Sequence, residues 1–330
     1  MPRYLLHIGP HKTGTTYLQH VFDRLRAQLA IRGICYPEVW GGPDGHRLLA
    51  DQIQAGNDAA ARPEFDRMNR KGWDTVLLSS ETFSYFTDDE VHRLHALLGG
   101  QPATVVFYCR RWSELIPSGW REMLKHGWLE TLPDYALSHL GDPAASRLIN
   151  FDLVLSRYAA VFGAENLRIV SYNGVRDASE DLATHFCRSF LRWPDVPPTG
   201  FGRINESLNM VDSEVMRALN ALHWARTRQS SSALYHRYEA TKDRLPVKWL
   251  IENAMCFTVN TVRINDAAPG LAQMHAEIAE RYRGALVPPS PGGALFTPGS
   301  GDVSHIRTDY LLAPGVMDCL SGMLDTLLAG

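Results

Sequence analysis

Short, uninterrupted apolar runs alternate along this chain with stretches in which apolar residues recur at helical spacing. Tyr4, Leu5, Leu6 and Ile8 form such a run with no polar face, and they predict a buried first strand at the centre of a parallel sheet. Residues 75–79, 104–109 and 167–172 read as further strands of the same kind. From Thr15 onward, Tyr17, Leu18, Val21, Phe22 and Leu25 follow the period of a helix. Thr87 and Glu90 make a capping box for a helix through Leu98, closed by Gly99 and Gly100. Residues 151–162 carry one apolar face and stop at Gly163, and residues 182–193 give another helix after a turn at Asn173-Gly174. Weaker patterns predict a short strand at 32–37, a turn at 40–45, a helix at 46–53, a helix from Ser113 onward, and late helices at 213–222 and 316–328. Strands alternating with helices predict an α/β chain, a three-layer sandwich around a mostly parallel sheet with helical additions towards the C-terminus.

The junction of the first strand and helix carries the first chemistry. Gly9 and Gly14 bracket a polar loop, so backbone N–H groups and the positive end of a helix dipole converge where an anion can sit. The glycines keep the spacing of the nucleotide loop G-x-x-x-x-G-K-[ST], but Thr15 and Thr16 stand where lysine and hydroxyl residues are expected. Lys12 lies inside the loop, two residues before Gly14. Two strand exits add to this. Glu81 follows the second long strand and Arg110-Arg111 follow the third, and ligands of open α/β sheets gather beyond the carboxyl ends of strands.

The loop His11-Lys12-Thr13-Gly14-Thr15-Thr16 resembles the 5′-phosphosulfate loop of sulfotransferases, which use 3′-phosphoadenosine 5′-phosphosulfate (PAPS). The resemblance extends from Arg3 to about Trp193, with little contribution from residues 30–74. It implies a nucleotide-binding core of the P-loop type, in which Lys12 assists departure of the bridging oxygen and the loop holds the 5′-phosphate. The segment 80–86 resembles the strand exit of heparan-type members, where a glutamate takes the acceptor's proton; Glu81 is the matching residue and His11 the second candidate base. Arg110 with Ser118, eight positions on, matches the pair that holds the 3′-phosphate. Tyr172 matches a tyrosine that contacts adenine, and Arg203, before an Asn-x-Ser, is a further candidate for the nucleotide's 3′ side. Two departures stand out. The usual R-[ND]-P reads Arg110-Arg111-Trp112, which leaves either arginine open to the role, the count favouring Arg110. Pro117 precedes Ser118 and is tolerable only in a first helical turn.

Composition narrows the rest. The chain has 330 residues and a net charge of −3, which excludes a broadly nucleic-acid-binding protein and a disordered one. The five cysteines are widely spaced with no C-x-x-C pair and read as free thiols. His7 and His11 do not share a helical face, so no metal site is expected. No apolar run reaches membrane-spanning length and no leader precedes the first strand, so a soluble, cytoplasmic protein is expected. The organisation expected is a nucleotide-binding core at 1–200, completed by a mostly helical region at 201–330. Segments 221–265, basic and aromatic, and 286–310, rich in proline and glycine, are candidate acceptor or lid elements. The resemblance to sulfotransferases implies in-line sulfuryl transfer from PAPS to an acceptor hydroxyl, a carbohydrate favoured, without a metal. An ATP-dependent small-molecule kinase and a non-catalytic nucleotide-binding protein are the alternatives.

Overall fold

The computed structural model describes residues 1–197 and 208–329. The chain divides into two compact units, the first Met1–Arg111, Asn150–Asn205 and Ala268–Pro298, the second Trp112–Ile149, Glu206–Ala267 and Gly299–Gly330. In chain order the strands of the described residues are β1 (Arg3–His7), β2 (Ile34–Cys35), β3 (Thr75–Ser79), β4 (Ala103–Cys109), β5 (Leu167–Ser171), β6 (Val259–Asn265), β7 (Leu286–Val287) and β8 (Ser300–Ile306).

The first unit is built on a six-stranded sheet in the order β2-β3-β1-β4-β5-β7, with every pairing parallel. Alternation along the strands sends side chains to two helical layers. On one face Leu5, Leu77, Val106, Tyr108 and Val170 pack against the Thr15–Arg24 and Leu182–Phe190 helices through Leu18, Phe22 and Phe186. On the other, Tyr4 meets Phe65 of the Asp58–Arg70 helix, ring centroids 5.9 Å apart, and Phe107 meets Phe151 at 5.6 Å. Full burial of a side chain such as Phe22 stabilises the fold by roughly 1.5–3 kcal/mol. β1 sits between β3 and β4, and the chain turns from one side of it to the other, which makes its exit the topological switch point of the sheet.

Local sequence explains one departure from expectation. The fifth strand ends at Ser171, and Tyr172–Asp177 forms a short helix where a turn at Asn173-Gly174 was expected. The Ser171 hydroxyl accepts from the Gly174 N–H at 3.0 Å and caps that helix. Gly174 is required there by close approach, since a Cβ would lie 2.2 Å from the Pro289 carbonyl oxygen. Segment 286–310, rich in proline and glycine and expected as an acceptor or lid element, contains β7 and β8.

The second unit is mainly helical, with Trp112–Lys125, Leu132–Leu140, Met210–Thr227, Ser232–Thr241, Val247–Asn253 and Val316–Ala329. β6 and β8 pair antiparallel, Val259 opposite Ile306 through Asn265 opposite Ser300. Pro117 falls in the second turn of the first of these helices, so Ser113 lacks its helical acceptance. Gly301 of β8 passes close to that carbonyl; a Cβ on it would lie 3.2 Å away. No helix of the described residues is long and apolar enough to cross a membrane.

Candidate functional site

The loop after β1 is held from both sides by continued sheet pairing. The Ile8 N–H donates to the Val106 carbonyl at 3.0 Å, the Tyr108 N–H to the Gly9 carbonyl at 3.0 Å and the Ser80 N–H to the His7 carbonyl at 3.1 Å. Gly9 (φ 85°) is fixed by the same closeness: a Cβ there would lie 3.1 Å from the Glu81 Cα. Gly14 (φ 79°) is the N-cap of the Thr15–Arg24 helix and offers no side-chain acceptor to the first turn, which leaves those N–H groups for another anion.

Inside the loop, the Thr13 hydroxyl donates to the Pro10 carbonyl at 2.6 Å and the Thr15 hydroxyl to the same oxygen at 3.2 Å. Both residues are buried. Their side chains therefore shape the loop, and only their backbone N–H groups remain to meet a ligand. His11, Lys12, Gly14 and Thr16 are partly exposed. Lys12 takes a left-handed conformation at φ 67°, which a side chain with a Cβ rarely adopts.

Arg110, at the exit of β4, reaches this loop. Its guanidinium Nη1 donates to the Lys12 carbonyl at 2.7 Å and its Cζ lies 5.3 Å from the centroid of the Tyr172 ring. Tyr172 in turn borders Gly14, whose absent Cβ would lie 3.4 Å from its Cε2. Lys12, Gly14, Arg110 and Tyr172 thus come together. Arg111 turns elsewhere. Its side chain bonds Asp177 at 2.5 Å and the Thr297 carbonyl at 2.8 Å, and its N–H donates to buried Asn173 at 2.7 Å. Ser118 is buried on the Trp112–Lys125 helix of the second unit, and Arg203 lies outside the described residues.

At the exit of β3, Glu81 opens a short 3₁₀ helix, Glu81–Tyr85. Its Oε1 lies 3.1 Å from Nδ1 of His11, and each side chain keeps 32% of its surface exposed. The Tyr85 ring stands against the imidazole, centroids 5.0 Å apart and tilted by 40°. Burial, and then the Glu81 charge, hold the Tyr85 phenol above its ordinary pKa, so it stays protonated. Beneath the loop, His7 is enclosed, its Nδ1 2.8 Å from the Ser79 hydroxyl, and burial pushes its pKa down to about 3.

Sequence reasoning missed Tyr85 and Asn173. Tyr85 sits four residues after Glu81 in the same strand-exit segment, whose closeness in sequence is a legible signal; nothing in the local pattern marks Asn173.

No family model and no curated protein matches this chain. Among solved structures it is similar to a sulfotransferase from Alicyclobacillus acidocaldarius, with 14% identity over 71% of this chain and 98% of that one and a TM-score of 0.37.

Proposed function

We propose that the protein is a sulfotransferase that moves a sulfuryl group from PAPS to an acceptor hydroxyl, a saccharide being the favoured class. The observation that carries this reading is the convergence of Arg110, Lys12, Gly14 and Tyr172 on one loop, with Arg110 donating to the Lys12 carbonyl and lying over the Tyr172 ring. A donor with phosphates at both the 3′ and 5′ ends of one adenosine needs two cationic groups and an aromatic neighbour close together. In this reading the backbone N–H groups of residues 13–16 and the Lys12 ammonium hold the 5′-phosphate, with the Thr16 hydroxyl beside them. Arg110 serves the 3′-phosphate, since Arg111 is engaged by Asp177 and Thr297. Ser118 and Arg203 are proposed for the same phosphate on the resemblance alone, and Tyr172 for the base. Like phosphoryl transfer, the reaction chiefly needs positioning and stabilisation of charge on the departing phosphate.

Calorimetry tests the donor. We expect 3′,5′-bisphosphoadenosine to bind without added metal and more tightly than ATP. Arg110→Ala should lose at least about tenfold in affinity for bisphosphoadenosine, the order of one charge-assisted contact, and much less for 5′-AMP. Equal losses on both ligands would remove Arg110 from the 3′-phosphate. Tighter, magnesium-dependent binding of ATP would replace the donor.

A further inference from the structure

We infer that His11, and not Glu81, takes the acceptor's proton, and that Glu81 is the residue that positions it. The assignment rests on the sulfuryl-transfer reading above. The Glu81 carboxylate lies 3.1 Å from Nδ1 of His11. A carboxylate in that place accepts the Nδ1–H and thereby leaves the lone pair of a neutral imidazole on Nε2. Among the described residues Nε2 has no hydrogen-bond partner, and the side chain is partly open to solvent. Orientation is fixed on both sides. Gly9 packs against the Glu81 backbone, the Ser84 hydroxyl donates to the Glu81 carbonyl at 2.7 Å, and Tyr85 covers one side of the imidazole. A nucleophile's base oriented by a third group is the arrangement of acid–base relays in general.

Nε2 takes the proton of the acceptor hydroxyl while the oxygen's electron pair forms the new S–O bond. The bond from sulfur to the bridging oxygen breaks, and its electron pair leaves with the 5′-phosphate beside Lys12, the residue next to His11. The imidazolium formed lies against the Glu81 carboxylate, and its proton then passes to water. A carboxylate acting alone would be left neutral beside a neutral imidazole, and the pairing seen here would have no role in the step.

Two measurements test this. In the wild-type protein, long-range proton–nitrogen NMR correlation of the neutral His11 ring should show the proton on Nδ1; a proton on Nε2 overturns the assignment. With radiolabelled PAPS and water or methyl glucoside as acceptor, His11→Ala should lose about 100-fold or more in kcat, partly restored by free imidazole. Glu81→Gln should lose less, because its amide oxygen still accepts from Nδ1–H. The kcat of His11→Ala is read at saturating PAPS, and Glu81→Gln, outside the loop, should keep wild-type affinity for bisphosphoadenosine. A larger loss in Glu81→Gln than in His11→Ala, with no rescue by imidazole, returns the base to Glu81. Failure of the wild-type protein to bind bisphosphoadenosine would overturn the donor reading and this assignment with it, whereas an Nε2–H tautomer overturns this assignment alone.

Discussion

Lys12 combines a charged side chain with a backbone conformation that suits glycine. Its φ of 67° costs about 1–2 kcal/mol for a residue with a Cβ. Strain of this kind persists where the surroundings over-determine it, and here the Lys12 carbonyl is held by Arg110 while Gly14 turns the chain two residues on. The side chain at this position is therefore not the one the backbone alone selects. On the proposed reading, in which the Lys12 ammonium meets the departing phosphate, Lys12→Ala and Lys12→Gly should both abolish sulfuryl transfer. Their stabilities should differ, since only glycine relieves the strain: Lys12→Gly should be more stable than Lys12→Ala by about 1 kcal/mol in urea denaturation. The opposite order would mean that the loop does not adopt this turn in solution.

At the scale of elements, the helix that carries Ser118 depends on one buried carboxylate. Asp266 is 1% exposed; it accepts from the Ser113 N–H at 2.8 Å, the Ser113 hydroxyl at 2.9 Å and the Gly299 N–H at 3.0 Å. It closes the first turn of the Trp112–Lys125 helix and ties it to the approach to β8. Asp266→Ala should cost roughly 2–3 kcal/mol, the range for charge-assisted bonds with buried donors left unpaired, and Asp266→Asn should recover part of it. A loss within about 0.5 kcal/mol, as for an ordinary surface change, would refute the role. Asp266 was not legible in the sequence, because its partners stand 153 and 33 residues away. The same reason separates what was legible elsewhere. β1, β3, β4 and β5 are covered on both faces, so their apolar runs announce them. β6 is mostly exposed and has no period to read, whereas β2, only two residues long, falls inside the short strand expected at 32–37. The Asp58–Arg70 helix contains Pro63 and a polar surface that hides Phe65 and Met68. In the site, strand exits could be read from local pattern, but the pairing of His11 with Glu81 and the diversion of Arg111 to Asp177 depend on which strands lie side by side.

For the whole molecule, buried histidines set the response to acid. His46 uses both ring nitrogens: Nδ1 accepts from the Ser79 N–H at 2.9 Å, and Nε2 donates to the Pro37 carbonyl at 2.9 Å. A second proton would set two donors against each other at Nδ1. Burial, the largest cause, takes His46 from 6.5 down to about 4, and burial takes His7 from 6.5 down to about 3. The sign follows from these depressed values. Below pH 6.5 the unfolded chain takes up protons that the folded chain refuses, so stability is present above that pH and is lost as pH falls towards 4 and then 3. Glu214 opposes this: burial raises its pKa against the lowering effect of Arg217, so it favours the folded state as acid increases, though from a lower starting pH. Between pH 7 and pH 5 the two histidines together should remove about 3–4 kcal/mol, a large share of the stability of an ordinary protein. Urea denaturation at the two pH values reads this directly. His7→Phe keeps the aromatic packing against Tyr108 and Phe186 while removing one titrating group, and it should reduce the difference by about 2 kcal/mol. Equal stability at pH 7 and pH 5 would mean that water reaches these rings in solution and that the packing beneath the loop is looser than the enclosed arrangement described.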